Sequence, residues 1–161
     1  MVNRHDAPPP SPPKAVHLHA SQQAMIAQAA RAAWPAEACG LLIGTRNADG
    51  AVIVHHLMVT ANVLAGHAHD RFEIATEVLL NAHRTARAAG QAVVGHFHSH
   101  PSGDASWSAT DAAWAHEPGV IWLIQALGAQ AMGPLRAYLA QGVGDRGGVP
   151  FSPLAIVTLP Q

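Results

Sequence analysis

Several things are scarce in this chain, and each scarcity removes a class of explanation. Cys39 is the only cysteine among 161 residues, so no intrachain disulfide can form, which suits a reducing compartment. Charged residues make up 12% of the chain, and nine Lys and Arg against ten Asp and Glu leave a net charge of -1. There is no basic excess to bind a phosphate backbone, so nucleic acid is not an expected partner. No apolar run approaches the eighteen or more residues of a membrane span. Met1 to Lys14 holds five prolines but no apolar stretch of the signal-peptide kind, and the expected location is cytoplasmic. No internal repeat and no shift of composition marks a second domain.

What is present is a largely apolar chain with 49% hydrophobic residues and twelve histidines. A chain of this length can bury a substantial core within one domain. Residues 1–14, with Pro8-Pro9-Pro10 and Pro12-Pro13, cannot form a helix or a central strand and are expected to be a disordered tail. Residues 15–161 form the expected domain. Alternation over 15–20 predicts a strand, Ser21 an N-cap, and 22–33 a helix closed by Pro35. Residues 37–44 and 51–59 predict two strands around a turn. An irregular stretch follows over 62–71, then a short extended piece at 72–74 and a helix over 76–89 ended by Gly90. A strand over 91–100 ends at Pro101, a short helix covers 108–116, and strands are expected near 120–127, 135–141 and 154–159. The order β-α-β-β-α-β-α-β-β-β implies an α/β (α+β) domain, a mixed sheet with helices packed on it.

The chemistry concentrates at His98-Ser99-His100-Pro101 and Ser108-Ala109-Thr110-Asp111. Residues i and i+2 of a strand share a face, so His98 and His100 point the same way, and a loop through Gly103 lets Asp111 fold back towards them. Two imidazoles and a carboxylate suit Zn2+ and leave a fourth position open, as catalytic sites do. Such a site lowers the pKa of a bound water to about 7, and a carboxylate must then shuttle its proton. No Glu lies inside the His-x-His segment. Glu37, opening the otherwise apolar run Cys39 to Ile43, is the candidate general acid/base. Ser108 is the candidate donor to the oxyanion. Blander readings stand beside these. The two histidines could be strand histidines held by neighbours, and Glu37 a strand-edge surface charge. Ser108 and Asp111 also fit a helix-capping box, which would compete for the same carboxylate.

Together, Glu37-Ala38-Cys39-Gly40-Leu41-Leu42-Ile43-Gly44 and His98-Ser99-His100-Pro101 with Ser108-Ala109-Thr110-Asp111 resemble the two signatures of the JAMM (MPN+, JAB) metallopeptidases, in the right order. The likeness extends over about residues 16–159, including a strand at Arg71-Phe72-Glu73-Ile74, and is greatest to the small stand-alone prokaryotic branch. The resemblance implies a curved mixed sheet flanked by helices in a cytidine-deaminase-like JAB1/MPN fold. It implies one Zn2+ per chain on His98, His100 and Asp111, with Glu37 as general acid/base and Ser108 supporting the oxyanion. It further implies hydrolysis of the peptide or isopeptide bond after the C-terminal diglycine of a ubiquitin-like or sulfur-carrier protein. One departure is Trp107, where similar bacterial chains often carry Pro; it bears on the shape of the loop rather than on the ligands. His100 to Asp104 also resembles the RadC-like branch, against which the Glu37–Leu42 segment and the lack of a preceding helical domain both weigh. Two other functions remain open: a non-catalytic MPN-type scaffold, and a zinc peptidase acting on cell-wall or phage-related peptides.

The remaining residues take quieter roles. Cys39 reads as a small core residue rather than a nucleophile. His96 reads as a structural or supporting neighbour of the ligands, and Asp104 as a turn residue. His67 and His69 lie in a polar loop, exposed or part of a flap over the groove, and Asn62 before it is a candidate to hold an extended substrate. Trp107, Trp114 and Trp122 are expected as core anchors, Trp107 alone having a possible place along a substrate groove.

Overall fold

The computed structural model describes residues 11–142 and 149–160. Its elements follow the expected order. These are β1 (Ala15–His19), α1 (Ala20–Ala33), β2 (Cys39–Arg46), β3 (Ala51–Thr60), α2 (Thr76–Ala88), β4 (Ala92–His100), α3 (Ala109–Trp114), β5 (Ile121–Leu127), β6 (Met132–Ala140) and β7 (Phe151–Leu159). Residues 1–10 of the proline-rich tail lie outside the described residues. Within 11–14, Pro13 is buried and the Lys14 N–H donates to Gly50 O at 2.9 Å.

One curved, mixed sheet carries the domain. Its strands run β1-β3-β2-β4-β5-β6-β7, and β7 returns to pair with β1. The pairs β1–β3, β1–β7 and β4–β5 are parallel and the others antiparallel. Alternation along the strands gives the sheet two buried faces. One collects Val16, Leu18, Leu42, Val52, Val54, Phe97, Ile121 and Leu123 around Ile26 of α1. The other collects Trp122, Ile124, Ala126, Tyr138 and Phe151 beneath Ala105 and Ala115 of the segment that follows β4. Helix α2 packs on β2 and β4.

Helix α1 begins before the expected Ser21 cap. Gln22 is the reason: its Oε1 accepts the His19 N–H at 2.9 Å, while its Nε2 donates to Val54 O at 3.0 Å, so a buried glutamine closes the helix start and ties it to β3. A second difference lies at Arg71-Phe72-Glu73-Ile74, where the strand implied by the resemblance does not form. The Glu73 N–H is taken by the Asn62 side chain (3.1 Å), and Phe72 lies on His98, so this segment is held by side chains rather than by a ladder.

Close packing leaves no room at Gly40, which pairs with Phe97 across β2 and β4. A Cβ there would sit 2.3 Å from both the Phe97 ring and Met58 O. A backbone oxygen cannot rotate away, so Gly40→Ala forces the strands apart. The expected cost is about 1–3 kcal/mol or more, read as a lower urea midpoint at unchanged m-value. A wild-type midpoint would show that this strand pair tolerates a methyl group.

Candidate metal centre

The ligand set is built where β4 ends. His98 and His100 project from one face of β4, while Phe97 and Ser99 point to the other. Pro101 stops the strand. Gly103, at φ +84°, occupies the left-handed region that glycine favours, and its N–H returns to His100 O at 3.2 Å. The chain then delivers α3 with Asp111 in its first turn. Asp111 Oδ1 lies 3.1 Å from His98 Nε2 and Oδ2 lies 3.2 Å from His100 Nε2, the two ring nitrogens being 2.9 Å apart. All three side chains are buried, and among the described residues they are the one group of three that could hold a metal ion.

The surroundings fit a cation. Two imidazole nitrogens at 2.9 Å cannot both carry protons, and both converge with a carboxylate on one point, which is the arrangement of an open three-ligand site. His100 Nδ1–H donates to Asp104 O at 2.9 Å, which fixes the tautomer that leaves Nε2 free to ligate. His98 Nδ1 is buried with no hydrogen-bond partner among the described residues, and its ring is held instead by packing: Phe72 stacks on it at 4.7 Å and Trp122 meets it edge-on at 5.8 Å.

The helix cap does not draw the Asp111 carboxylate away from the two histidines. Asp111 Oδ2 accepts the Ser108 N–H (2.7 Å) and the Ser108 hydroxyl (2.9 Å), and Ser108 Oγ accepts the Asp111 N–H (3.1 Å). The capping box orients Asp111 while both oxygens still face the histidines. Burial pushes the Asp111 carboxyl upward. Its contacts with the His100 and His98 rings, the charge of His98 and the Ser108 N–H more than offset this and hold it well below the carboxylate range. Burial lowers His98 despite Asp111. At His100, the Asp111 hydrogen bond and charge and the Glu37 charge outweigh burial and raise it.

Glu37 sits two residues before β2, not on it; the regular strand starts at Cys39. The reason is local. The Ala38 N–H is taken by the Ser99 hydroxyl (2.8 Å) rather than by a strand carbonyl, while Ser99 N–H donates to Ala38 O at 3.0 Å. With Cys39 opposite His98, this pairing brings Glu37 opposite His100. Burial pushes the Glu37 carboxyl up to about 8; His100 opposes, and Asp111 and Asp70 add to the rise. A carboxyl poised near neutrality is what a proton shuttle needs.

That shift has a thermodynamic consequence for the metal-free protein. The folded state holds the Glu37 proton more tightly than the unfolded chain, whose carboxyl titrates near 4.5, so the contribution of Glu37 to stability falls as pH rises from about 4.5 to about 8 and then levels. Glu37→Gln removes this dependence. The variant's gain in Tm over wild type, measured without metal, should therefore grow from pH 5 to pH 8. A gain that stays constant across that window contradicts the raised carboxyl.

Other residues find their places around this centre. Cys39 is buried, and burial, despite the Thr60 hydroxyl, raises its thiol, which keeps it protonated and unreactive. His96 lies against Trp122 (4.2 Å) and Phe72 (5.4 Å), and burial and then the charge of His98 lower it to about 3, so it is a neutral packing residue. Asp104 makes the expected turn, accepting the Ser106 N–H at 2.8 Å. His67 and His69 are exposed. His69 Nδ1–H donates to Pro35 O at 3.3 Å, which draws their loop to the Glu37 segment. Of the three tryptophans expected as core anchors, Trp122 anchors the core and Trp107 packs on Phe151 at 5.7 Å, but Trp114 is 71% exposed. Helix α3 is only six residues long, and Ala115, not Trp114, turns inward from its end. Sequence reasoning missed Phe72 over His98, Ser99 at Ala38 and the Asp104 carbonyl at His100. Only Ser99 carried a signal, as the residue between two ligands that must face the core.

Comparisons with known proteins agree with this geometry. A family model described as prokaryotic homologues of the JAB domain matches residues 19–140. The Desampylase of Haloferax volcanii is 36% identical over 90 residues, which is 56% of this chain and 62% of that protein, so the match spans less than two thirds of the relative. Among solved structures, a protein from Desulfitobacterium hafniense superposes with a TM-score of 0.72 at 28% identity, over 91% of this chain and 95% of that one. A protein from Salinibacter ruber gives 0.64 at 30% identity, over 89% and 90%. With the family model covering most of the chain, the chain belongs to the prokaryotic JAB family.

Proposed function

We propose that this protein is a zinc-dependent JAMM-type hydrolase that cuts the peptide or isopeptide bond after the diglycine of a ubiquitin-like or sulfur-carrier protein. The single observation carrying the reading is the convergence of His98, His100 and Asp111 beside a buried Glu37. The substrate class comes from the Desampylase relative, whose name describes removal of a ubiquitin-like modifier. The intact ligand set favours catalysis over a scaffold role.

What Zn2+ would supply at these ligands is polarisation of a carbonyl and a water acidic enough to attack near neutrality. The chain's own residues do the rest. Glu37 accepts the proton of the attacking water at its carboxylate and returns it to the departing amine nitrogen. Burial of His98 and Asp111 keeps bulk water from the ligands, so the field at the scissile carbonyl stays strong. Ser108, freed from Asp111 by rotation about its C–O bond, donates to the carbonyl oxygen as it gains charge. The Phe72 ring over His98 walls one side of the centre.

The test is cleavage of a ubiquitin-like protein extended by a short peptide after its diglycine, followed by intact mass. A product ending in Gly-Gly is expected. A zinc-loaded protein that leaves every such substrate intact, or that cuts elsewhere, overturns the substrate assignment.

A further inference from the structure

Asn62 makes four hydrogen bonds with its side chain. Nδ2 donates to Glu37 O at 3.0 Å and to Arg71 O at 3.2 Å; Oδ1 accepts from Leu64 N at 3.0 Å and from Glu73 N at 3.1 Å. An amide side chain has two donors and two acceptor sites, so nothing is left over to grip an extended substrate, the role considered for it from sequence. The partners lie on three separate pieces of chain. One is the Glu37 segment, which has not yet entered β2. The others are the two ends of the 62–73 loop, closed also by Val63 N to Glu73 O at 3.0 Å.

The tie at Glu37 matters because that segment has few others. Ser99 holds Ala38, and the next regular ladder residue is Cys39. Asn62 therefore fixes the main chain of Glu37 itself. The same side chain fixes Arg71 and Glu73, which flank Phe72 on the His98 ring. One residue thus sets the acid/base carboxylate and the aromatic wall in a common frame.

We infer that Asn62 is a positioning residue: its amide locks Glu37 and the 62–73 loop into one rigid unit beside the metal ligands. This rests on the role proposed above for Glu37. The amide's two halves do different work. The oxygen closes the loop, and the NH2 holds Glu37 and Arg71. Asn62→Asp separates them, since a carboxylate keeps both acceptor bonds, loses both donations and faces the Glu37 carbonyl with a negative charge. A misplacement of about 1 Å in a catalytic group costs on the order of 100-fold in rate.

The experiment uses the zinc-loaded full chain and a ubiquitin-like protein extended after its diglycine. Wild type, Glu37→Gln and Asn62→Asp are compared for kcat, KM, zinc content and amide exchange at Leu64 and Glu73. Asn62→Asp should lose about 10- to 100-fold in kcat. KM should stay within about threefold, zinc content should match wild type, and both amides should remain protected. Asn62→Ser, uncharged and shorter, is read for the same loss of kcat at wild-type zinc content should the aspartate variant fold poorly. Wild-type kcat in the folded variant overturns the inference, as does a loss of kcat that zinc loss or an equal rise in KM explains. Cleavage by wild type that Glu37→Gln retains overturns the Glu37 reading, a failure distinct from that of Asn62.

Discussion

Glu37→Gln is expected to leave zinc bound and to lower kcat by about 100- to 10,000-fold, the range that a positioned general acid/base contributes. The variant isolates one chemical property. Gln has the shape of Glu and keeps the buried position, but it can neither accept a proton from water nor pass one to an amine. Zinc content should be unaffected, because the cluster that can hold a metal is His98, His100 and Asp111, with Glu37 outside it. KM should move little, since Gln keeps the size of the side chain it replaces. The measurement is single-turnover cleavage beside zinc content on the same preparation. If the variant keeps wild-type kcat, the proton shuttle is another group. If it loses zinc in proportion to activity, Glu37 belongs to the ligand set and the open position of the centre has been misread.

The second large effect is expected at Asp111, where one carboxylate serves two structures. Its oxygens face both histidines and also accept the Ser108 N–H and hydroxyl. Asp111→Ala removes a proposed ligand and a helix cap together. Zinc affinity should fall by at least about 100-fold, a loss that removing outer partners of ligands already reaches. The metal-free protein should lose about 0.5–2 kcal/mol with the cap. Asp111→Asn divides the two roles. Its amide oxygen still accepts from the Ser108 N–H, so α3 stays capped and the metal-free Tm stays near wild type, while the charge that draws a cation is gone. Zinc content after gel filtration and thermal melts of the stripped proteins read both. An Asp111→Asn variant that retains zinc as wild type does would place the third ligand elsewhere.

Much of the architecture was legible in the sequence because its signals are local. Period-two alternation marked β1, and Pro101 and Gly90 ended their elements where expected. The His-x-His spacing put two imidazoles on one face before any tertiary information. Ser108 to Asp111 declared its own cap, and the structure makes that cap part of the same cluster as the ligands. What stayed hidden depends on contacts distant in sequence. Gln22 displaces Ser21 at the start of α1 because Val54, 32 residues away, supplies a carbonyl. The segment at 72–74 carries strand-like residues, yet Asn62 and His98 claim it before any ladder can. Trp114 has the composition of an anchor but lies on a helix too short to turn it inward. Glu37 precedes β2 because a serine hydroxyl from β4 takes the place of a strand carbonyl. Trp114 apart, each of these involves a side chain satisfying a backbone group across the fold, which no local pattern encodes.

The most direct measurement is the intact mass of a ubiquitin-like protein, extended past its diglycine, after incubation with this protein stripped by chelator and then reconstituted with Zn2+. The account predicts no cleavage by the stripped protein, and restored cleavage ending in Gly-Gly at one zinc per chain. Cleavage that persists without metal, or a fully reconstituted protein that leaves every extended carrier uncut, would contradict it.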